Sequence, residues 1–445
     1  MNELNPQPLA FQMKERLSKT FAGDRVIWII FMVFCLVSVV EVFSAGSMLT
    51  YTSGNYWHLI IRQSAFLLIG VALLLVADHL SYKWFQALPT FLLPFSMVML
   101  ILVFFYGQTK NAADRWYELF GIGFQPSELG KMGAVIAVAY ILAKGQNEQG
   151  ASPKAFKYCM FVAVPICGLI FPENFSTAVL LFGTIFLMMI IGRVAARLLW
   201  YTVLAGVLLL AGLVTYQLSL DEGEKSAIGR STTWESRITN FIINTDVPPK
   251  EFKIDETNSQ AVYARIAVAS SGLLGKGPGN SVQRDFLASS HTDFIYAITI
   301  EELGLVPAAI ILVLYLILLI RAGRIAKKCD RAFPAFLVLG IAILMVSQAL
   351  FNMAVAVGLA PITGQPLPLI SRGGTSTVIN CIYIGMILSV SRYTAKLDKQ
   401  RDEQEAQRLH DELIPMEVTI GGGDAQTADD PSSERLKEND DTAFT

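Results

Sequence analysis

The chain has 445 residues, of which 53% are hydrophobic and 16% charged, with a mean hydropathy of +0.48 and a formal net charge of -2. Soluble domains carry about 25% charged residues, so this composition excludes a large soluble protein, and the lack of a basic surplus argues against a nucleic-acid partner. The five cysteines have no metal-ligand spacing and predict neither a disulfide framework nor a zinc site.

Long apolar runs dominate the chain. About 20 apolar residues cross the hydrocarbon core of a bilayer as a helix, so the runs predict an all-α, polytopic membrane protein with about ten transmembrane helices. They lie near residues 26–44, 60–78, 87–106, 126–143, 157–172, 176–192, 198–218, 294–320, 333–357 and 375–391. We expect a cytoplasmic N-terminal segment of residues 1–25, a membrane domain of residues 26–394 and a cytoplasmic, mostly disordered tail of residues 395–445.

Charge placement predicts the orientation. Lysines and arginines precede the first span and recur in alternate connections, which by the positive-inside rule places both termini in the cytoplasm. The polar segments 107–125, 219–293 and 358–374 are then extracytoplasmic. The long outer loop between spans seven and eight, about 219–293, contains the apolar stretches NFII and ARIAVASSGLL, which predict short interfacial or re-entrant helices.

The first polar outer segment leads into a charged helix start. Lys110, Arg115 and Trp116 form a cation and aromatic cluster at the outer interface, where anchoring is the ordinary role of Trp. Pro126 suits the first position of a helix. Glu128 and Lys131 are then neighbours on one helix face, and they form either a buried structural ion pair or part of a wet functional cavity.

A glycine-rich segment, GLLGKGPGNSVQRD, contains Lys276. It does not fit a nucleotide-binding P-loop, because Gly277 rather than Ser or Thr follows the Gly-Lys pair. We expect a flexible turn whose backbone N–H groups could contact a pyrophosphate.

The segment SSHTDFIYAITIEELGLVPAAIILVLYLILLI predicts one helix that begins in polar sequence and ends deep in lipid. On that helix Glu301 and Glu302 lie at the outer interface, and Asp293 lies about 12 Å further out, at headgroup height. Asp293 is therefore a candidate catalytic carboxylate. The alternative is a capping box formed by Ser290 and Asp293. The final outer loop, GLAPITGQPLPLISRGGTS, is too rich in Pro and Gly for a helix and is expected to line a cavity.

The segments NAADRW, FQPSELGK, GKGPGNSVQR, HTDFIYAITIEELG and LPLISRGGTS, in this order between matching spans, resemble the SEDS family of bacterial cell-wall polymerases. The resemblance covers about residues 26–394, and the GNSVQ segment is closer to the division branch than to the elongation branch. It implies a peptidoglycan glycosyltransferase of the bacterial cytoplasmic membrane, located at the division septum. Such an enzyme polymerises lipid II with inversion and releases undecaprenyl pyrophosphate. The implied partners are a class B penicillin-binding protein, other division proteins and membrane lipid.

In that family the acid of the HTDF motif is the essential carboxylate, which corresponds to Asp293 here. A general base must take a proton from the acceptor hydroxyl, and cations must balance the pyrophosphate that leaves. A divalent cation, Mg²⁺ or Mn²⁺, is the alternative source of positive charge. The expected substrate and pyrophosphate contacts are Lys131, Glu128, Arg115, Lys110, Lys276, Arg284 and Gln125, with Ser371, Arg372, Gly373 and Gly374 of the final outer loop.

Two other functions stay open on the sequence. A transporter that flips the lipid-linked precursor would place ionisable groups near the bilayer midplane, whereas the spans here are almost free of such charge. A non-catalytic scaffold of the division machinery would use the polar loops only for docking, and it gives Asp293, Glu128 and Lys131 no role.

Overall fold

A computed structural model describes residues 23–45, 56–106, 108–110, 113–119, 122–218, 254, 258–287 and 290–421. The chain divides into two compact units, Met1–Thr394 and Ala395–Thr445. The apolar stretch NFII of the long outer loop lies outside the described residues.

Helices form nearly all of the described structure. They are α1 Arg25–Ala45, α2 Tyr56–His79, α3 Tyr82–Tyr106, α4 Pro126–Lys144, α5 Pro153–Ile170, α6 Phe175–Ile191, α7 Ala196–Leu218, α8 Ser259–Ala269, α9 Ile295–Leu303, α10 Leu305–Lys328, α11 Ala332–Ala356 and α12 Thr375–Gly421. A 3-10 turn, Gln283–Asp285, lies between α8 and α9. Helix α8 contains the first six residues of the stretch ARIAVASSGLL and ends at Ala269, so the expected short helix is present in part of that stretch.

The helices agree with the predicted all-α membrane fold. Eight of the described helices are long and apolar enough to cross a membrane, namely α1 to α5, α10, α11 and α12. Helices α6 and α7 are also apolar, but their apolar stretches, Phe175–Ile191 and Ala196–Leu209, are shorter, within 10–17 residues. Each of the ten predicted runs therefore contains a helix, and the protein is a multi-pass membrane protein.

Helices α4, α11 and α12 form the centre of the bundle. In an apolar 18-residue stretch of α4 and of α11, 78% is buried inside the protein, against 22% of the corresponding stretch of α3. Helix α4 packs against α3, α5 and α11, and small residues permit the close approach. A Cβ on Gly340 of α11 would lie 2.6 Å from Met188 and 2.9 Å from Val135, so only glycine fits there without a shift of its neighbours.

Five strands, which the sequence does not predict, lie in the described connections between the helices. The strands β1 Gln108–Lys110, β2 Ala113–Leu119 and β3 Ile122–Phe124 form an antiparallel sheet in the order β1-β2-β3. Strands β4 Gln146–Asn147 and β5 Gly150–Ala151 form a second pair. Strands this short show no clear two-residue alternation, so the sequence pattern does not reveal them.

The predicted helix over residues 294–320 is wrong in one respect. It is broken at Gly304, where φ is 95° and ψ is 174°, a conformation open only to glycine. The break is packed tightly, because a Cβ on Gly304 would lie 2.4 Å from the carbonyl oxygen of Leu273 and 2.5 Å from the amide nitrogen of Gly275. Helix α9 is thus a separate short helix, and only α10 is long enough to span.

The second unit begins in helix. Helix α12 continues to Gly421, which departs from the expectation of a mostly disordered tail. The segment after Thr394 is rich in Glu, Gln, Lys, Arg and Leu, which are strong helix formers. Lys399 and Glu403 form an exposed i,i+4 ion pair at 3.6 Å, which adds modest support.

Candidate functional site

Asp293 lies on a turn just before α9. The N-cap of α9 is Phe294, which makes no side-chain capping bond. The hydroxyl of Ser290 donates instead to the carbonyl oxygen of Ala45 at 3.0 Å. The alternative of a capping box formed by Ser290 and Asp293 is therefore wrong, because the Ser290 hydroxyl bonds to the end of α1. Asp293 is only partly buried.

The backbone carbonyl groups of three successive residues in the Asp293 turn accept hydrogen bonds from other parts of the protein. The carbonyl of His291 accepts the backbone N–H of Arg372 at 3.0 Å. The carbonyl of Thr292 accepts the hydroxyl of Ser371 at 2.6 Å. The carbonyl of Asp293 accepts the side-chain amide of Asn352 at 2.8 Å. The structure thus places Ser371 and Arg372 beside the Asp293 turn, and their contacts with substrate stay predictions.

The final outer loop, residues 358–374, has irregular backbone whose carbonyls are bound by buried side chains. Asn352 and Gln348 of α11 donate to the carbonyls of residues 365 and 366 at 2.7 and 2.9 Å. Tyr315 of α10 donates to the carbonyl of residue 368. Ser38 of α1 donates to the carbonyl of residue 370 at 2.9 Å. Irregular backbone inside a membrane protein is stable only where protein groups or water satisfy its hydrogen bonds. Here four side chains from three helices donate to the carbonyl groups of this loop.

Gly374, at the end of this loop, borders the first outer segment, whereas Gly373 borders the start of α12. A Cβ on Gly374 would lie 3.8 Å from the carbonyl oxygen of Gly123, while one on Gly373 would lie 3.0 Å from Ser376. Gln125 forms the N-cap of α4 without a side-chain capping bond. Lys110 lies in β1 and Arg115 in β2. The described structure does not include the side chains of these two cations, so their contacts with substrate stay predictions.

Glu128 and Lys131 form an ion pair inside the bundle. The Nζ of Lys131 lies 2.8 Å from the Oε1 of Glu128, and the two side chains are 1% and 3% exposed. The same Nζ donates to the Oε1 of Gln348 at 3.0 Å. Because Gln348 also holds the final outer loop, one short series of hydrogen bonds joins the ion pair to that loop.

The glycine-rich loop of residues 276–284 folds around two fully buried carboxylates. Glu301 accepts the backbone N–H groups of residues 282 and 283 and the hydroxyl of Ser281. Glu302 accepts the backbone N–H groups of residues 279 and 281 at 3.0 and 3.2 Å. These amide groups were expected to be available to a pyrophosphate. That expectation is wrong for these four, because the carboxylates of the protein itself occupy them.

The two cations of this loop are paired with the same carboxylates. Lys276 lies 2.5 Å from Glu301, and Arg284 lies 3.8 Å from Glu302. Burial alone would raise the pKa of Glu301, but the hydrogen bonds from Lys276, Ser281 and two backbone amides hold that pKa below its ordinary value. Lys276 and Arg284 therefore stabilise the loop, and their contact with pyrophosphate stays a prediction. Glu301 and Glu302 are fully buried inside the protein, and their expected place at the outer membrane interface stays a prediction.

His291 and Arg372 share the region beside Asp293. Burial, and after it the positive charge of Arg372, lower the pKa of His291 to about 4. Burial, and after it the charge of Arg62, also lower the pKa of Arg372. At neutral pH His291 is therefore an uncharged imidazole, and Arg372 supplies positive charge next to the turn.

An apolar cavity lies below the final outer loop. Its volume is about 180 Å³, and it opens between the start of α6, the end of α11 and the loop itself. Val179 and Phe351 form its apolar sides, while Ser176, Thr363 and Gln365 contribute polar groups. The carbonyl oxygen of Gln365 also accepts a hydrogen bond from Asn352 at 2.7 Å. Asn352 therefore contacts both a residue of the cavity wall and Asp293.

The described residues contain no group of three or more His, Cys, Asp or Glu side chains arranged to hold a metal ion. Mg²⁺ commonly binds through one or two carboxylates together with substrate phosphates. Asp293, an acidic residue that is only partly buried, suits that kind of site.

Sequence reasoning missed three buried polar residues of this region. Asn352 and Gln348 lie in an apolar span and contact groups distant in the chain. Glu41 near the end of α1 accepts the hydroxyl of Thr299 at 3.1 Å, and its Oε1 has no hydrogen-bond partner. The rarity of such groups in a span is the signal that could have identified them.

Known proteins are similar to this chain over most of its length. A family model described as a cell cycle protein, of the FtsW, RodA and SpoVE type, matches residues 24–396. A probable peptidoglycan glycosyltransferase FtsW of Geobacter sulfurreducens is 29% identical over 372 residues, which cover 83% of this chain and 95% of the relative. The protein of the same name from Halomonas elongata is 31% identical over 386 residues, with 84% and 91% covered.

Solved structures share the fold. A chain of a peptidoglycan synthase complex that coordinates polymerization and crosslinking is 25% identical with a TM-score of 0.64, covering 84% of this chain and 99% of that chain. The rod shape determining protein RodA of Thermus thermophilus is 24% identical with a TM-score of 0.58, with 84% and 97% covered. The chain belongs to the SEDS family, the cell cycle proteins of the FtsW, RodA and SpoVE type.

Proposed function

We propose that the protein polymerises lipid II into glycan strands during bacterial cell division, with Asp293 as the catalytic base. The family and its named relatives make the chain a membrane-bound peptidoglycan glycosyltransferase. The observation that carries the mechanism is the turn at Asp293, a residue that is only partly buried and whose backbone is bonded to α11, next to a hydrogen bond from the final outer loop to Thr292.

The reaction requires one carboxylate in a fixed place. Asp293 takes the proton of the acceptor sugar's 4-hydroxyl as that oxygen bonds to the anomeric carbon of the donor. The bond between that carbon and the pyrophosphate oxygen breaks, and undecaprenyl pyrophosphate leaves with the electron pair. Displacement in one step inverts the anomeric carbon from α to β, which suits a single catalytic carboxylate.

Positive charge near the turn stabilises the leaving group. Arg372 is the cation bonded to the turn through its backbone, and Lys131, Arg115 and Lys110 are the further candidates. A bound Mg²⁺ or Mn²⁺, held by Asp293 and substrate oxygens, would supply additional charge to the pyrophosphate.

The substrate carries a long polyprenyl chain that has to remain in the membrane. The apolar cavity under the final outer loop suits the first isoprene units of that chain, because its apolar sides open next to the loop that carries Ser371 and Arg372. We place the site on the outer face, both termini in the cytoplasm and the enzyme at the septum. Its crosslinking partner is then a class B penicillin-binding protein, a role supported by the complex in which a chain of this fold occurs.

Polymerisation of lipid II by the purified protein with its partner tests the proposal. Asp293→Asn should lower glycan synthesis by at least about 100-fold while the protein still folds and inserts. Asp285→Asn, an exposed acid of the same outer loop, is the matched control and should polymerise normally.

Normal polymerisation by Asp293→Asn would overturn the assignment of the base. Labelled lipid II that crosses vesicle membranes without forming polymer would instead establish the transporter alternative. Normal division complexes formed around an inactive wild-type protein would indicate a scaffold.

A further inference from the structure

Asn352 makes the contact that fixes Asp293 from the membrane side. It lies on α11 and is 1% exposed. Its Nδ2 donates to the carbonyl oxygen of Asp293 at 2.8 Å and to that of Gln365 at 2.7 Å. An amide group has two hydrogens, so both bonds form at once. One side chain thus ties the turn to the final outer loop.

Gln348 lies one helical turn before Asn352 on the same face of α11. It donates to the carbonyl of Pro366 at 2.9 Å and accepts the ammonium group of Lys131 at 3.0 Å. One face of a deeply buried helix therefore connects the Asp293 turn, the final outer loop and the Lys131–Glu128 ion pair.

We infer that Asn352 is a positioning residue that sets the place of the Asp293 carboxylate relative to the final outer loop. The inference rests on the proposed function, because Asn352 is given no chemistry of its own. Asn352 is neutral and bonds to backbone, so its removal changes where the carboxylate lies rather than its charge. A displacement of about 1 Å can lower a rate by about 100-fold.

Replacement of the amide by an apolar side chain of similar size tests the inference. Asn352→Leu should lower kcat for lipid II polymerisation by about 100-fold and leave KM within about threefold of wild type, since a positioning defect acts on the transition state. Asn352→Gln, which keeps the donor group, should recover part of the rate.

Asn380→Leu is the matched control. Asn380 is also a buried asparagine, 4% exposed, but its amide donates within its own helix to Ser376 at 3.4 Å. Thermal unfolding of both variants in detergent compares their folding. A loss of kcat shared equally by the two leucine variants, or one that follows their stability alone, would overturn the inference.

Hydrogen exchange in lipid nanodiscs gives a readout that needs no substrate. Asn352→Leu should accelerate exchange of the backbone amides of residues 290–294, whereas Asn380→Leu should not. Unchanged exchange in Asn352→Leu refutes the positioning role even if the wild-type protein does not polymerise lipid II. Conversely, an inactive Asp293→Asn beside a fully active Asn352→Leu leaves the proposed function standing and refutes this inference alone.

Discussion

Lys131 and Glu128 lie 2.8 Å apart, three residues from each other on α4, with almost no exposed side-chain surface. A buried ion pair is weak evidence for stability, because the desolvation of two charges opposes their attraction. Removal of one partner is a different matter, since it leaves the other charge buried without compensation.

Lys131→Met should therefore destabilise the protein by about 3–5 kcal/mol. The double variant Glu128→Gln with Lys131→Met removes both charges and should recover most of that loss. Thermal unfolding in detergent measures the cycle. If the double variant folds and polymerises lipid II normally, the pair is structural; if it folds but is inactive, the pair has a role in the reaction. A double variant no more stable than the single one contradicts the charge argument.

Gly304 is the second position where a single substitution is informative. Gly304→Ala forces a Cβ to within 2.4 Å of the carbonyl oxygen of Leu273 at a φ of 95°, so we expect a loss of at least about 1–3 kcal/mol. Gly323→Ala in α10, where nothing lies within 4 Å, should be neutral or stabilise by about 0.5–1 kcal/mol. Equal unfolding temperatures for the two variants would show that the break carries no strain for alanine.

His291 predicts acid sensitivity. Its pKa is about 4 in the folded protein and 6.5 ordinarily, so the unfolded chain binds more protons between these values and stability falls as pH drops from about 6.5 towards 4. Above pH 6.5 both states are neutral at this residue and it has no effect. His291→Gln should reduce the difference between the unfolding temperatures at pH 7 and pH 5. An unchanged difference would mean that other groups cause the sensitivity.

The apolar cavity predicts a defect in substrate binding. Val179→Trp should fill it and raise KM for lipid II by about tenfold, equivalent to about 1.4 kcal/mol, with little change in kcat. Leu187 lies two turns further along α6, and its side chain has a similar exposed fraction, 44% against 47% for Val179. Leu187→Trp should therefore behave like wild type. Equal KM values in the two variants would exclude the cavity as part of the lipid-binding path.

The sequence predicts the membrane fold well because burial in lipid depends on local composition. Each predicted span contains a helix, including the charged start of α4 at Pro126. The break at Gly304 is the exception. Gly304 followed by Pro307 is a helix-stop pattern, but the apolar residues on both sides hide it.

The contacts of the site are harder to predict from sequence. Asp293 and Ser371 stand in segments that are polar enough to attract notice, whereas Asn352 lies in an apolar run and its partner is 59 residues away in the chain. The surroundings of Glu301 and Glu302 are equally hidden in the sequence. Their place before an apolar run is evident there, but the glycine-rich loop whose backbone amides donate to both buried carboxylates is not.

The hydrogen bonds that hold the Asp293 turn have a consequence for biogenesis. Ala45, which bonds to Ser290, precedes the turn in the chain, but the other three partners, Asn352, Ser371 and Arg372, all come later. A nascent chain inserted as far as α10 thus contains Asp293 but none of these three later partners. The active geometry can form only after α11 and the final outer loop have been inserted, so an incompletely translated protein in the membrane has no ordered site.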